Sequence, residues 1–132
     1  MTTVTTTPPA EELTEKIIED EIFRLLNVER VKAGVPELLY GKNLYSLAKN
    51  NGRSMARLGK FDYDMSVYYQ EVFWGINYNS LESITTAAMK TWSLNQYRFK
   101  STALLITNTY GAVGAYYEGG VYFITFMAAN YP

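Results

Sequence analysis

The chain of 132 residues carries a formal net charge of −1 and contains neither histidine nor cysteine. The missing imidazole and thiol groups exclude disulfides, thiol nucleophiles and the usual ligands of a zinc site. The balanced charge excludes a surface that is basic as a whole, so nucleic acid is not an expected partner. No run of about 18 apolar residues occurs, and no membrane span is expected.

Residues 1–9 are a Thr/Pro-rich arm, and residues 10–132 are expected to form one domain, since 48% of the chain is hydrophobic. The arm has no basic stretch followed by an apolar one, so no signal peptide is visible. An arm of this composition has little reason to fold alone, and order in it would point to packing on its own domain or on a neighbour.

The first helix is predicted from Pro8 to residue 33, with Thr7 as its cap and Gly34 beyond its end. The acidic run at residues 19–21 is interpreted as a solvated face. Apolar side chains at helical spacing predict the face that packs on the core: Leu13, Ile17, Ile22, Leu25 and Leu26.

Two further helices are predicted at residues 41–58 and 80–92, the earlier one ending at Gly59. The core-facing residues are expected to be Leu44, Leu47, Ala48, Met55 and Leu58 in one helix and Ile84, Ala87, Ala88 and Trp92 in the other. The basic residues of the earlier helix are interpreted as a solvated face, with a docking face for an acidic partner as the alternative: Lys42, Lys49, Arg53, Arg57 and Lys60.

Strands are predicted at residues 70–76, 103–107, 111–117 and 121–128, the last two joined by a tight hairpin at Glu118-Gly119-Gly120. The last strand barely alternates between apolar and polar residues, so both of its faces should be covered. Three main helices around such a sheet predict an α+β fold, a three-layer α-β-α sandwich with a mostly antiparallel central sheet.

Residues 25–38, which read LLNVERVKAGVPEL, resemble the opening helix and turn of the CAP superfamily. That family includes cysteine-rich secretory proteins, antigen 5 and plant pathogenesis-related 1 proteins. The segment QEVFWG at residues 70–75 looks like the family's GEN-type segment, and the likeness covers roughly residues 13–128. It continues at Leu44, Leu47, Ala48, Met55, Ala56, Gly59, Phe61, Trp92 and the C-terminal hairpin. The fold that the resemblance implies is the same α-β-α sandwich.

The family's cleft usually holds two histidines and two acidic residues, and it binds a divalent metal in some members. By resemblance, the first histidine position falls on Tyr63, and Glu71 keeps one acidic position. The second histidine position falls on Phe99, Arg98 or Tyr97, depending on the alignment, and Glu82 is a weak match to the second acid. The candidate cleft residues are therefore Tyr63, Glu71, Tyr97, Arg98 and Phe99, with Tyr68 and Tyr69 beside them.

No catalytic residue, metal ligand or cofactor is expected, because no activated nucleophile or tuned acid–base pair is visible. Asp62, Asp64 and Glu71 could hold a hard cation in principle, but solvated turn carboxylates are the preferred interpretation. For Glu71 we prefer a hydrogen-bonded structural role over a role as polar anchor in a ligand cleft.

Two functions follow from these observations. One is a non-enzymatic CAP-like binding domain with a degenerate cleft for a peptide, a lipid or other small apolar ligand, or a protein partner. The other is a structural or assembly protein of an extracellular filament, surface layer or virus particle, which would self-associate. The Thr-rich arm, where it is ordered, and the twelve tyrosines motivate this alternative. The resemblance implies an extracellular or particle-associated location. A catalytic role through Glu71 is the least favoured alternative.

Overall fold

A computed structural model describes residues 13–132. The helices and strands of this range follow in the order α1 Glu15–Lys32, β1 Leu39–Tyr40, α2 Lys42–Leu58, β2 Tyr69–Ile76, α3 Leu81–Leu94, α4 Gln96–Thr102, β3 Tyr110–Glu118 and β4 Val121–Ala129. No helix in the described range is both long and apolar enough to cross a bilayer.

The four strands form one sheet in the order β1-β3-β4-β2. Strands β2, β3 and β4 pair antiparallel, whereas β1 runs parallel to β3 through two residue pairs, Leu39 with Tyr110 and Tyr40 with Gly111. The predicted hairpin joins β3 to β4, and its Gly119 and Gly120 have φ angles of 60° and 82°. The sheet is therefore mixed, with mostly antiparallel pairing.

Helices cover both faces of this sheet. Helices α1 and α3 pack on one face around Ile22, Ile84 and Trp92, and α2 packs on the other face through Leu44 and Ala48. Helix α2 approaches so closely that a Cβ atom on Gly114 would overlap the backbone of Ala48 and Lys49. The predicted α+β three-layer sandwich is confirmed.

Helix α1 begins later than predicted, because Leu13 and Thr14 are not helical. The Thr14 side chain accepts a hydrogen bond from Ile17 N at 3.2 Å and so caps the helix. The predicted cap Thr7 lies outside the described residues, as do positions 1–12 in general. The buried stripe of α1 is Ile18, Ile22 and Leu26, while the predicted Leu13, Ile17 and Leu25 are only partly buried.

Two other predictions are wrong. Leu58 at the end of α2 is exposed rather than in the core. Residues 103–107 are a turn rather than a strand, and the chain before them forms α4, which the sequence analysis missed. The Asn95 side chain accepts a hydrogen bond from Arg98 N at 3.0 Å and starts this short helix.

Arg30 explains why residues 103–107 do not pair as a strand. Its guanidinium is fully buried near the end of α1 and donates to four backbone carbonyls. The accepting oxygens belong to Pro36 at 2.7 Å, Ala103 at 2.6 Å, Leu105 at 3.1 Å and Asn108 at 2.8 Å. Burial lowers the pKa of Arg30. The loop after α4 is therefore tied to α1 by a side chain more than 70 residues away in sequence.

A second buried polar cluster joins α1 and α2 to β3. Glu19 Oε2 accepts hydrogen bonds from Ala115 N at 2.8 Å and from Lys49 Nζ at 2.9 Å. Lys49 Nζ also donates to Ala115 O. Beyond Gly111, strand β3 has β4 on one side only, so the backbone groups of Ala115 need other partners.

The same cluster corrects two interpretations made from sequence. Glu19 is buried although the acidic run was assigned to a solvated face, and Lys49 points into the protein although α2's basic residues were assigned to solvent. Tyr45 OH donates to Glu19 Oε1 at 2.9 Å, and burial together with this hydrogen bond raises the pKa of Tyr45 to about 12.

We expect Arg30→Lys to lower the free energy of unfolding by about 2–3 kcal/mol, because an ammonium group cannot reach all four carbonyls in the plane of the guanidinium. Chemical denaturation followed by circular dichroism measures the loss. Arg24→Lys is the matched control, since Arg24 is exposed on the same helix and its one ion pair within residues 13–132 is with Glu21; it should change stability by less than about 0.5 kcal/mol. Equal effects of the two substitutions would contradict a role for Arg30 as the link between α1 and the loop.

Lys49→Met should lower the free energy of unfolding by about 3 kcal/mol, because it leaves the buried Glu19 carboxylate without its cationic partner. The control is Lys16→Met, which removes an exposed ion pair with Asp20 on α1 and should cost no more than about 0.5 kcal/mol. Urea unfolding of both variants at pH 7 gives the comparison. A loss for Lys49→Met as small as that of the control would show that Glu19 and Ala115 do not depend on the lysine.

Candidate binding groove beside Glu71

The candidate site lies where β2 begins, at one edge of the sheet. Gln70 shapes the loop before it: the side-chain Oε1 accepts from Asp64 N at 3.0 Å, and Nε2 donates to Asp64 O at 2.8 Å and Val67 O at 2.6 Å. These bonds fix the loop that carries Tyr63 and Tyr68. The loop's conformation is therefore set from the strand that follows it.

The side chains of Trp92 and Arg98 cover the outer edge of β2. Trp92 Nε1 donates to Val72 O at 3.0 Å, and Arg98 Nη2 donates to Gln70 O at 3.4 Å. Both carbonyls point away from β4, which pairs with the other edge of the strand. The end of α3 and helix α4 thereby bring Arg98 to the strand that carries Glu71.

Glu71 and Arg98 form an ion pair, with 2.9 Å between Arg98 Nε and Glu71 Oε1. Glu71 is only 7% exposed, whereas the Arg98 side chain is 45% exposed. Within residues 13–132 no donor is aligned for a hydrogen bond to Oε1, so the contact is an ion pair without good hydrogen-bond geometry. Burial raises the pKa of Glu71, and the nearby Arg98 opposes part of that effect.

Tyr63 completes the cluster, since the Arg98 guanidinium carbon lies 5.7 Å from the centre of its ring. The three alternatives for the second histidine position are now distinguished by location. Arg98 lies against Glu71, Tyr97 is 85% exposed, and Phe99 is buried in the core beside α1 and α3. The fold thus brings together Tyr63, Glu71 and Arg98, with Tyr97 beside them, and it places Phe99 elsewhere.

A groove of about 450 Å³ opens beside Arg98, and a smaller hollow of about 160 Å³ continues on the other side of Tyr68 and Tyr69. We call the two together the tyrosine groove. The lining residues of the larger part are Tyr68, Tyr69, Gln70, Tyr97, Arg98, Ser101, Thr102 and Leu105. Thr107 and Tyr131 belong to the smaller part.

The wall formed by Leu105, Thr107 and Tyr131 was not predicted from the sequence. Residues 103–107 are apolar and were interpreted as a strand, and Tyr131 follows the last strand without any periodic pattern. A larger hollow of about 700 Å³ lies along the outer side of α1, and its charged lining residues are Asp20, Arg24, Lys32 and Glu37. Asp20, Arg24 and Lys32 form ion pairs on their own helix. Among residues 13–132 none of these ion pairs has a buried partner, and the tyrosine groove is therefore the better candidate.

The carboxylates of Asp62, Asp64 and Glu71, which were considered as ligands of a hard cation, do not form a cluster. Asp64 Oδ1 accepts from Ser66 N at 2.9 Å and from Ser66 Oγ at 2.6 Å, and Glu71 pairs with Arg98. In the described part of the chain no group of three acidic side chains could hold a metal ion. The arrangement at Glu71 presents N–H donors to the groove rather than a set of oxygen ligands.

Solved structures resemble this arrangement of helices and strands. A cysteine-rich secretory protein from Staphylococcus aureus superposes with a TM-score of 0.58 and 16% identity over 93% of this chain and 41% of its own. An extracellular protein with an SCP domain from Bacillus anthracis gives a TM-score of 0.59 and 19% identity over 92% of this chain and 45% of its own. The chain has the CAP fold. The structural likeness confirms the resemblance seen in the sequence.

An outer surface protein from Borrelia burgdorferi has a similar arrangement of helices and strands, with a TM-score of 0.64 and 10% identity over 91% of this chain and 98% of its own. This chain spans less than half the length of the proteins from S. aureus and B. anthracis. Neither a family model nor a curated protein matched the sequence. At these identities the likeness establishes the fold of this CAP-like chain, and its function has to be argued from the groove.

The free energy of unfolding of Glu71→Gln, taken relative to that of wild type, should increase as pH rises from 4 to 8. The pKa of Glu71 is raised in the folded state, so the native protein binds more protons between the ordinary and the raised pKa, and wild-type stability falls as pH rises through that interval. Glutamine has no charge to bury. Urea unfolding at each pH measures the difference.

The matched control is Glu118→Gln, because Glu118 is exposed at the end of β3. We expect its difference from wild type to stay flat over the same pH range. A Glu71→Gln variant that is less stable than wild type at pH 7 would mean that the Glu71 carboxylate stabilises the folded protein, which is the structural role preferred from sequence.

Proposed function

We propose that this CAP-like chain is a non-enzymatic binding domain that holds a peptide segment of a protein partner in the tyrosine groove. The observation that carries the proposal is the way the fold collects exposed rings around a fixed arginine. Tyr68 comes from the loop before β2, Tyr97 from α4 and Tyr131 from the segment after β4. These three segments are distant in sequence, and each adds one wall.

The exposure of the rings supports this role. Tyr68 is 88% exposed and Tyr97 is 85% exposed, so neither ring contributes its area to the core. Tyrosine and arginine are enriched at protein interfaces, where a rigid ring buries a large area at a small cost in conformational entropy. Two such rings beside a held guanidinium are what a peptide-binding surface requires.

The composition of the groove favours a peptide over a lipid tail. A lipid tail needs a mainly apolar cavity that shields most of its surface from water. The larger part of the groove instead mixes tyrosine rings with the hydroxyls of Ser101 and Thr102 and the guanidinium of Arg98. Backbone amides and mixed side chains of a peptide can pair with these groups.

The chemistry at Glu71 supports a role without catalysis. General acid–base catalysis needs a partner that exchanges protons near neutral pH. Glu71 is paired with an arginine, and an arginine guanidinium stays protonated in proteins.

We also propose that the chain acts outside the cell, because two proteins of similar fold are named as an extracellular protein and an outer surface protein.

The test is selection of binders from a random peptide library on the native chain, followed by affinity measurement on variants. Tyr97→Ala and Tyr68→Ala should each weaken the selected peptides by about tenfold or more, the usual cost of removing an aromatic anchor. Tyr40→Ala is the matched control, since Tyr40 is an exposed tyrosine on β1 at the opposite edge of the sheet. Peptides that bind both groove variants as tightly as the native chain would refute the groove as the binding site.

Light scattering on the same proteins addresses the alternative role in assembly. The arm that motivated that alternative lies outside the described residues. A native chain that stays monomeric over a wide concentration range supports the binding domain. Concentration-dependent oligomers that dissociate on Tyr97→Ala, but not on Tyr40→Ala, would assign the tyrosine groove to self-association instead.

A further inference from the structure

We infer that Arg98 anchors a carboxylate of the bound peptide, through the end of its guanidinium that faces away from Glu71. The inference rests on the proposed function and names the chemical group that the groove recognises. It depends on which N–H groups of Arg98 are already used inside the protein and which are not.

A guanidinium has five N–H donors in one plane. On the side edge of the plane, Nε lies 2.9 Å from Glu71 Oε1, and Nη2 donates to Gln70 O at 3.4 Å. The end edge presents one N–H of Nη1 beside the second N–H of Nη2, and the other N–H of Nη1 points along the opposite side of the plane. Among residues 13–132 these groups have no acceptor. The ion pair with Glu71 and the bond to Gln70 O therefore lie on one edge of the fork, and the end edge is open.

Arg98 is held in place although it is half exposed. The carboxylate of Glu71, the carbonyl of Gln70 and the ring of Tyr63 contact it from three directions. An exposed arginine normally loses much side-chain freedom when it binds a ligand, and that loss weakens binding. In this protein the side chain of Arg98 is already ordered before a ligand binds, so its N–H donors are in position for an anion.

The open edge selects for a carboxylate. Two parallel N–H groups match the two oxygens of a planar carboxylate, and such paired bonds to a charged acceptor are stronger than neutral hydrogen bonds. Because Glu71 already occupies the side edge, the ligand's carboxylate must approach from the groove. Tyr97 and Tyr68 line that groove and can pack against the side chain that carries or precedes the carboxylate.

The test uses small probes in NMR titrations of the native chain labelled with ¹⁵N. N-acetyl-tyrosine has a free carboxylate, N-acetyl-tyrosine amide has none, and N-acetyl-tyrosyl-glutamic acid amide carries one only on its side chain. We expect the first probe to shift Arg98 Nε–H and groove amides and to bind about tenfold more tightly than the amide. Comparison with the third probe tells whether a chain terminus or an acidic side chain supplies the carboxylate.

Arg98→Gln should abolish the preference for the acid over the amide, and Arg98→Lys should reduce it, since lysine keeps the charge but loses the fork. Arg53→Gln is the matched control, because Arg53 also lies over a tyrosine ring, that of Tyr116, and has no buried carboxylate partner in the described part of the chain. Its preference should equal that of the native chain. The double variant Glu71→Gln/Arg98→Gln removes both members of the ion pair and should behave like Arg98→Gln, provided that its NMR spectrum shows an intact fold.

Three results would overturn the inference: equal binding of acid and amide, a preference that persists in Arg98→Gln, and shifts that appear away from the groove or not at all. If acid and amide bind equally within the groove, the proposed binding function survives and only the carboxylate anchor fails. If selected peptides are insensitive to Tyr68→Ala and Tyr97→Ala, the groove itself fails, whatever the probes do.

Discussion

The buried guanidinium of Arg30 connects the core of this protein to its candidate site. Its bonds to the carbonyls of Ala103, Leu105 and Asn108 fix the loop that follows α4. Leu105 and Thr107 of that loop form part of the groove wall, and α4 carries Arg98. The position of the anchor relative to the sheet therefore depends on a side chain of α1. A charged group with four neutral acceptors satisfies its donors without needing a buried counterion.

The two exposed edges of the sheet are closed by side chains rather than by further strands. At β3, Glu19 and Lys49 bind the backbone of Ala115, and Glu15 Oε2 accepts from Tyr117 N at 2.7 Å. At β2, Trp92 and Arg98 bind the outward carbonyls of Val72 and Gln70. Strand addition needs free N–H and C=O groups, so it is blocked at these positions. The peptide partner that we propose would therefore be recognised through side chains, which is the kind of surface that the tyrosine groove offers.

The sequence predicted most of the fold where local pattern and burial agree. Helical spacing located α2 and α3, and the glycine pair located the hairpin. Prediction from the sequence failed where a partner that is distant in sequence determines the burial or conformation of a residue. Glu19 looks solvated in its acidic run, yet its partner Ala115 lies 96 residues away. Residues 103–107 look like a strand, yet their carbonyls bind Arg30. For the site, resemblance pointed to Tyr63, Glu71 and Arg98, whereas the loop residues of the groove wall carry no periodic signal.

The residues at the resemblance-assigned histidine positions change what such a cleft can recognise. A neutral histidine offers a lone pair to a metal or a proton, whereas an arginine offers only N–H donors and a permanent positive charge. By resemblance, Tyr63 is at the first of these positions, and Arg98 is one of the three residues that different alignments give for the second. In the structure Glu71 faces this arginine, which is a cation of the protein itself. The carboxylate then serves to orient the guanidinium. The N–H donors of Arg98 therefore suit the anionic group that we propose as its ligand.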